Sequence, residues 1–188
     1  MSETGNNLVN QYLIATPIIK EPLFASSLVY MCEHDQNGSM GLVVNQQAGQ
    51  NLEKVFEHIG IECDDPETNN TPVFIGGPVN LDQGFVLHSS NKIWDNSLKI
   101  TEDIYLTSSK DILQSIADKN GPNNYLVLLG FSGWSAGQLE QELQQNAWLT
   151  CDSENNILFH QDWNKKWQLA IDKLGIDINN LSPTSGHA

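Results

Sequence analysis

The residues best suited to chemistry lie in one glycine-rich segment, Gly130-Phe-Ser-Gly-Trp-Ser-Ala-Gly-Gln138. Within it, Gly133-Trp-Ser-Ala-Gly137 matches G-x-S-x-G, the pattern in which a serine hydrolase presents its nucleophile. An apolar run precedes the segment and a helical pattern follows it, as that motif requires. An elbow serine stands at the immediate exit of its strand, however, whereas Ser135 lies well beyond the predicted strand end at Leu129. Ser135 is therefore a candidate nucleophile in an imperfect context.

Ser135 also has a structural interpretation, as the N-cap of the helix that follows it. Ser135 and Gln138 stand in the S-x-x-Q spacing of a capping box, in which the hydroxyl accepts a hydrogen bond from the first helical turn. A hydroxyl held in that way is not aimed at a histidine, as a nucleophile must be. The spacing favours the cap, so we assign no catalytic residue and expect no enzyme activity.

The same segment could bind an anion, because a glycine turn at a helix N-terminus presents free N–H groups. No Lys, Arg or Walker sequence accompanies it, and Glu140 and Glu142 would oppose a bound anion. Gly76-Gly-Pro78 is ambiguous in the same way. The residues kept as ligand-binding candidates are Gly76, Gly77, His88, Gly130, Ser132, Gly133, Trp134, Ser135, Gly137 and Gln138.

The cysteines indicate neither a disulfide framework nor a metal site. Cys32, Cys63 and Cys151 are odd in number and widely spaced, with no C-x-x-C pair, a pattern that fits free thiols in the cytoplasm. Cys32 and His34 could share a strand face, but they supply two ligands where structural zinc needs four. We therefore expect no metal, no cofactor and a cytoplasmic location.

The composition predicts one domain with an acidic surface. The chain has 188 residues, 39% of them hydrophobic, and a formal net charge of -14, which suits a single well-filled core. Because nucleic-acid affinity rests on Lys and Arg that neutralise phosphates, direct nucleic-acid binding is disfavoured. Anionic membranes are disfavoured for the same reason, and the sequence has neither a signal-like start nor an apolar run long enough to span a bilayer.

Periodicity predicts the elements that must position these residues. The apolar run Tyr125–Leu129 reads as a central strand covered on both faces. Two hairpins are expected, one pairing 27–32 with 40–45 and one pairing 72–75 with 84–88. Residues 62–71 read as a loop, and the ends at about 1–10 and 179–188 as loose. Further strands are expected at 12–16, 97–100, 104–106, 148–151 and 157–159, and helices at 52–59, from 110, after Gly137 and from 162.

Hairpins with helices inserted between them predict the α+β class. Five segments also occur together, in this order: Gly41-Leu-Val-Val-Asn45, Gly76-Gly-Pro-Val79, Gly84-Phe-Val-Leu-His88, Gly130-Phe-Ser-Gly-Trp-Ser-Ala-Gly-Gln-Leu-Glu140 and Asn146-Ala-Trp-Leu-Thr150. With these segments the chain resembles the bacterial AlgH/YqgE family, over residues from Tyr12 to about Leu174. The resemblance implies one compact α+β domain with a mixed, bifurcated β-sheet surrounded by helices, in a cytoplasmic protein often labelled a transcriptional regulator.

The sequence leaves three functions in order of preference. The first is a non-enzymatic regulatory or binding protein that acts through a protein partner or a small-molecule ligand near Gly130–Gln138. The second is a serine hydrolase that uses Ser135. The third is a direct DNA-binding regulator, which the acidic charge and the absence of a recognisable helix-turn-helix oppose.

Overall fold

The computed structural model describes residues 7–89 and 92–181. In chain order its strands and α-helices are β1 (Gln11–Ala15), β2 (Leu28–Asp35), β3 (Gly38–Val43), β4 (Gln47–Asn51), α1 (Leu52–Ile59), α2 (Pro66–Asn69), β5 (Pro72–Ile75), β6 (Val79–Ser89), β7 (Ser97–Lys99), β8 (Ile104–Thr107), α3 (Lys110–Ala117), β9 (Asn124–Ser135), α4 (Gln138–Gln144), β10 (Trp148–Asp152), α5 (Asn155–Leu158) and α6 (Lys166–Leu174).

The chain divides into two compact units. The terminal unit comprises Met1–Asn45 and Gly133–Ala188, and the middle unit comprises Gln46–Ser132. The strands form a mixed sheet, because β5 and β9 pair in parallel while antiparallel pairing joins β1–β10, β1–β2, β2–β3, β4–β5, β6–β8, β6–β9 and β7–β8. The sheet branches at β9, which neighbours β3, β5 and β6. The α+β class with a mixed, bifurcated sheet is confirmed.

In the terminal unit, β10, β1, β2 and β3 follow one another as antiparallel neighbours. The predicted hairpin of 27–32 with 40–45 is confirmed, with Val29 opposite Val43. Every residue from Leu28 to Cys32 is buried, as expected of an apolar run without alternation. The core around these strands includes Leu13, Val29, Met31, Val43, Trp134, Leu139 and Trp148.

In the middle unit, β9 pairs with β6 and β5, and β8 pairs with β6. The predicted hairpin of 72–75 with 84–88 is wrong, because β5 pairs with β4 and β9 instead. A side-chain carbon added to Gly77 would lie 2.1 Å from the carbonyl carbon of Phe131. The glycine therefore allows close approach to β9 rather than a tight return to β5.

Three local predictions also need correction. Residues 157–159 belong to a helix, α5, rather than a strand, since a short apolar run does not distinguish the two. The expected loop at 62–71 contains α2, whose N-cap Asp65 accepts a hydrogen bond from the Thr68 amide at 2.9 Å. The helix expected from 162 starts with the 3₁₀ turn Trp163–Lys165 before α6.

The predicted helix at 52–59 is confirmed. It ends at Gly60, which has a positive φ of 72°, a conformation that suits glycine at a helix end. The chain ends are structured in part, because Leu8 is buried and Ile178–Asn180 forms a 3₁₀ helix. The rest of the predicted loose ends, residues 1–6 and 182–188, lies outside the described residues.

Candidate functional site

The glycine-rich segment is a strand over most of its length. The central strand β9 continues through Ser135 instead of ending at Leu129, and Gly130 accommodates a local distortion with φ of 70°. A side-chain carbon on Gly130 would lie 2.6 Å from the carbonyl oxygen of Gly77, so this pair of glycines serves chain approach. Ser135 consequently stands at its strand's exit, which corrects the objection raised from the sequence.

Ser135 nevertheless has the surroundings of a structural residue. Its exposed hydroxyl donates to Oε1 of Gln138 at 3.2 Å, and no histidine bonds to it among the described residues. His34, a histidine of the same unit, places Nδ1 at 2.7 Å from the Ser39 hydroxyl and Nε2 at 3.5 Å from Glu140. The geometry supplies no general base for Ser135.

The N-cap predicted at Ser135 is wrong, because the N-cap of α4 is Gly137, with φ of 78°. One contact of a capping box survives, since the Ser135 amide donates to Oε1 of Gln138 at 3.0 Å. The second contact of a capping box, from the first helical turn to the Ser135 hydroxyl, is not formed. Since β9 extends through Ser135, this hydroxyl lies two residues before the true N-cap. Gly137 adopts the left-handed conformation that this tight strand-to-helix turn requires.

The predicted ligand-binding residues do not assemble into one site. Ser132 is buried, and its hydroxyl donates to the Gly76 carbonyl at 3.1 Å, so the Gly76-Gly77 segment is bonded to β9. The candidates in the middle unit are Gly76, Gly77, His88, Gly130 and Ser132, and those in the terminal unit are Gly133, Trp134, Ser135, Gly137 and Gln138. Their role in binding a ligand stays a prediction. The contacts described for these residues are made within the protein and support its fold.

Trp134 and Gln138 belong to a hydrogen-bonded group that we call the Glu142 cluster, with Trp148 as its fourth member. Oε2 of Glu142 accepts from the indole N–H of Trp134 at 2.9 Å and of Trp148 at 2.8 Å. Oε1 accepts from the Gln138 side chain at 3.0 Å. Both indoles are buried, so the carboxylate anchors α4 to the core of the terminal unit.

His88 is buried and forms part of a chain of side-chain hydrogen bonds. The Ser97 hydroxyl donates to the Trp94 carbonyl at 2.7 Å, so Thr107 must donate to Ser97 at 2.7 Å and His88 Nε2 must donate to Thr107 at 2.8 Å. Nδ1 is then an unprotonated nitrogen with no partner in the described part of the chain. Burial lowers the pKa of His88 to about 4.

We expect His88 to be the neutral Nε2–H tautomer at pH 7 and to protonate only near pH 4. Because the folded pKa is below the unfolded value, its contribution to stability is complete above about pH 6.5 and is lost as the pH falls through 4. A pH titration followed by imidazole nitrogen NMR measures both the tautomer and the pKa of His88. Protonated Nδ1 at neutral pH, or titration near the ordinary value, would contradict the hydrogen-bond chain.

The middle unit also contains a cavity of about 480 Å³ that sequence reasoning missed. It lies among β4, α1, β6, the end of β8, the first half of α3 and β9. Its lining residues are Gln50, Lys54, Val55, His58, Ile59, Leu81, Asp82, Gly84, Phe85, Val86, Thr107, Ser108, Ser109, Lys110, Leu113, Val127 and Leu129.

The cavity has an apolar floor and a polar rim. Phe85, Val86, Leu113 and Val127 are all at least nine-tenths buried, and these four lining residues form what we call the floor. A side-chain carbon on Gly84 would meet no atom within 4 Å, which means that this glycine leaves open space beside the floor. A small molecule could bury apolar surface here without displacing a side chain.

The rim is basic, in contrast to the whole chain. Lys54 and His58 lie on α1 and Lys110 begins α3, while Asp82 is the one acidic residue in the lining. The Lys110 ammonium donates to the Ile59 carbonyl at 2.6 Å, which ties the two helices together. The only signal for this rim in the sequence was the presence of these basic residues on two separate amphipathic helices.

Other site types find little support. No group of three or more His, Cys, Asp or Glu is placed to hold a metal within residues 7–89 and 92–181. The three cysteines are free, and burial raises the pKa of the Cys32 and Cys151 thiols, which disfavours reactive thiolates there. None of the helices in the described part combines the length and apolar character that crossing a membrane requires.

Known proteins similar to this chain cover its full length. A family model described as AlgH-like matches residues 12–179. A UPF0301 protein of Thioalkalivibrio sulfidiphilus is 45% identical over 184 residues, 98% of each chain, and one of Xanthomonas campestris pv. campestris is 44% identical over 188 residues, 100% of each.

Two solved structures resemble the fold. The solution structure of AlgH from Pseudomonas aeruginosa has a TM-score of 0.81 and 36% identity, with 100% of both chains covered. A Corynebacterium diphtheriae crystal structure has a TM-score of 0.71 at 17% identity, with 95% of this chain and 92% of that chain covered. The second likeness concerns the fold alone.

Proposed function

The chain belongs to the AlgH-like family, and on that premise we propose that it is a non-enzymatic cytoplasmic regulatory protein that binds a small molecule in the cavity of the middle unit. The observation that carries the proposal is the cavity itself. Its volume of about 480 Å³ lies within the range of small-molecule sites, and such sites combine mainly apolar walls with a few polar groups. This location replaces the Gly130–Gln138 segment suggested by the sequence.

A binding role fits the described contacts better than the two alternatives. Ser135 lacks a histidine partner among the described residues, which argues against the serine hydrolase. The chain has nine lysines, no arginine and 23 acidic residues, so its negative charge would repel the phosphates of DNA. Regulation is therefore expected to act through the ligand and a protein partner.

The Gly84→Leu variant tests the proposal because it fills the cavity from within. The added side chain enters the open space beside Gly84, and the native backbone there needs no left-handed conformation, so the fold should be retained. A metabolite library screened by thermal shift should yield ligands that raise the melting temperature of the wild type, since a ligand that binds only the folded state stabilises it. Gly84→Leu should lose those shifts.

The matched control is Asp103→Leu, which adds a leucine at an exposed position of the same unit outside the cavity lining. It should retain every ligand-induced shift. Ligands that stabilise the wild type and Gly84→Leu equally would place binding elsewhere and contradict the proposal.

A further inference from the structure

We infer that the ligand is an amphipathic anion, an apolar chain or ring system that carries one carboxylate or phosphate group. The inference rests on the proposed function and names the chemical class for the same cavity. It follows from the charge of the rim, the donors that the rim lysines retain, and the apolar floor beneath them.

The cavity lining holds more lysines than acids, unlike the chain as a whole. The lining contains Lys54 and Lys110, two of the nine lysines of the chain. It contains Asp82 as the one acid, against 23 in the chain. Two lysines and one aspartate leave the lining with a small positive formal charge, and positive charge between low-dielectric walls attracts a ligand of the opposite sign.

The two rim lysines have donors to offer a ligand. Lys110 uses one N–H on the Ile59 carbonyl, and Lys54 uses one on Glu57 at 2.9 Å. An ammonium group has three N–H donors, so each lysine can add a charge-assisted hydrogen bond to an anionic oxygen. The Lys110 contact holds its side chain against the end of α1, the helix that also carries Lys54 and His58.

The apolar floor favours an apolar group at the end of the ligand opposite the anionic group. Phe85, Val86 and Val127 are buried without polar atoms in their side chains, and each methylene group placed against such a surface is removed from water, which favours binding. Leu81 is 52% exposed and lines the same cavity, so an apolar ligand would cover it. A purely polar anion such as free phosphate would leave this surface unused.

The test compares four probes that share a ten-carbon chain and differ in the head group: decanoate, decyl phosphate, decan-1-ol and decylamine, each below its micelle-forming concentration. Calorimetric titration should show at least one anion binding roughly tenfold more tightly than the alcohol, with the amine weakest. The relative affinities of decanoate and decyl phosphate then decide between the two anionic groups.

The double variant Lys54→Gln with Lys110→Gln should bring the favoured anion to the affinity of decan-1-ol. The matched control is Lys99→Gln, because Lys99 forms an ion pair with Glu102 at the same i,i+3 spacing as Lys54 with Glu57 but lies outside the cavity lining. The control should leave the affinity unchanged.

Two results overturn the inference. One is an alcohol that binds as tightly as both anions with no effect of the double variant, and the other is no binding by any probe. The proposed function fails separately, when the thermal-shift ligands of the wild type are unaffected by Gly84→Leu.

Discussion

The Glu142→Ala variant is expected to lower the free energy of unfolding by about 2 to 5 kcal/mol. The substitution removes the acceptor of two indole N–H groups, those of Trp134 and Trp148. Both rings are buried, so water cannot readily replace the carboxylate, and each buried unsatisfied donor costs about 1 to 3 kcal/mol. Urea unfolding followed by tryptophan fluorescence measures the change.

Two variants separate this effect from a general weakening of α4. Gln144→Ala changes an exposed residue of the same helix and should alter stability by no more than about 0.5 kcal/mol. Glu142→Gln keeps one carbonyl oxygen as an acceptor and should fall between the alanine variant and the wild type. Equal stabilities of Glu142→Ala and Gln144→Ala would show that the Glu142 cluster does not anchor the helix.

The Lys166→Met variant is expected to remove a rise of stability with pH. Lys166 is fully buried, its ammonium donates to the Val44 carbonyl at 3.0 Å, and burial lowers its pKa to about 7. Between that value and the unfolded value of 10.5, the unfolded chain binds the extra proton. Raising the pH in this window therefore favours the folded state, whereas below about pH 7 both states carry the charge.

The measurement is the free energy of unfolding of both proteins at pH 7.0 and pH 8.5. The wild type should gain about 1.5 to 2 kcal/mol relative to Lys166→Met over this interval. Burial raises the pKa of other groups, such as Tyr12, Tyr30 and Cys32. These groups are present in both proteins, so their contributions to stability cancel in the difference. Parallel pH profiles would show that Lys166 keeps an ordinary pKa.

Lys166 also shows how far the sequence could predict the fold. Lys166 lies four residues before Ala170, so helical spacing puts both on one stripe of α6, and both are buried. The charge of a lysine predicts the surface instead. Local patterns predicted the β2–β3 hairpin and α1, whereas the burial of a lysine depends on a backbone carbonyl at Val44, far away in sequence.

The strand pairing of the middle unit was less predictable for a related reason. A hairpin of β5 with β6 is the simplest arrangement for strands adjacent in sequence, but β5 pairs in parallel with β9, more than fifty residues later. The β5–β9 pairing is accompanied by a close contact of Gly77 with Phe131, which only a residue without a side chain allows. A glycine pattern indicates that a close approach exists without indicating its partner.

The candidate site was missed because no motif encodes it. The glycine motifs drew attention to Gly130–Gln138, where the described glycines serve chain approach and a helix start. The cavity instead collects residues from six separate elements, and its open space depends on a missing side chain at Gly84. Cavity shape is a property of packing, which sequence periodicity does not resolve.

The central claim is that the middle-unit cavity, and not the glycine-rich segment, is the binding site. A titration of isotope-labelled protein with decanoate, followed by amide ¹H–¹⁵N NMR, tests it most directly. We predict the largest shift changes at Gly84, Phe85, Leu113 and Val127, with the amides of residues 135–138 unchanged. Changes concentrated at Ser135 to Gln138, with the cavity amides unmoved, would contradict it.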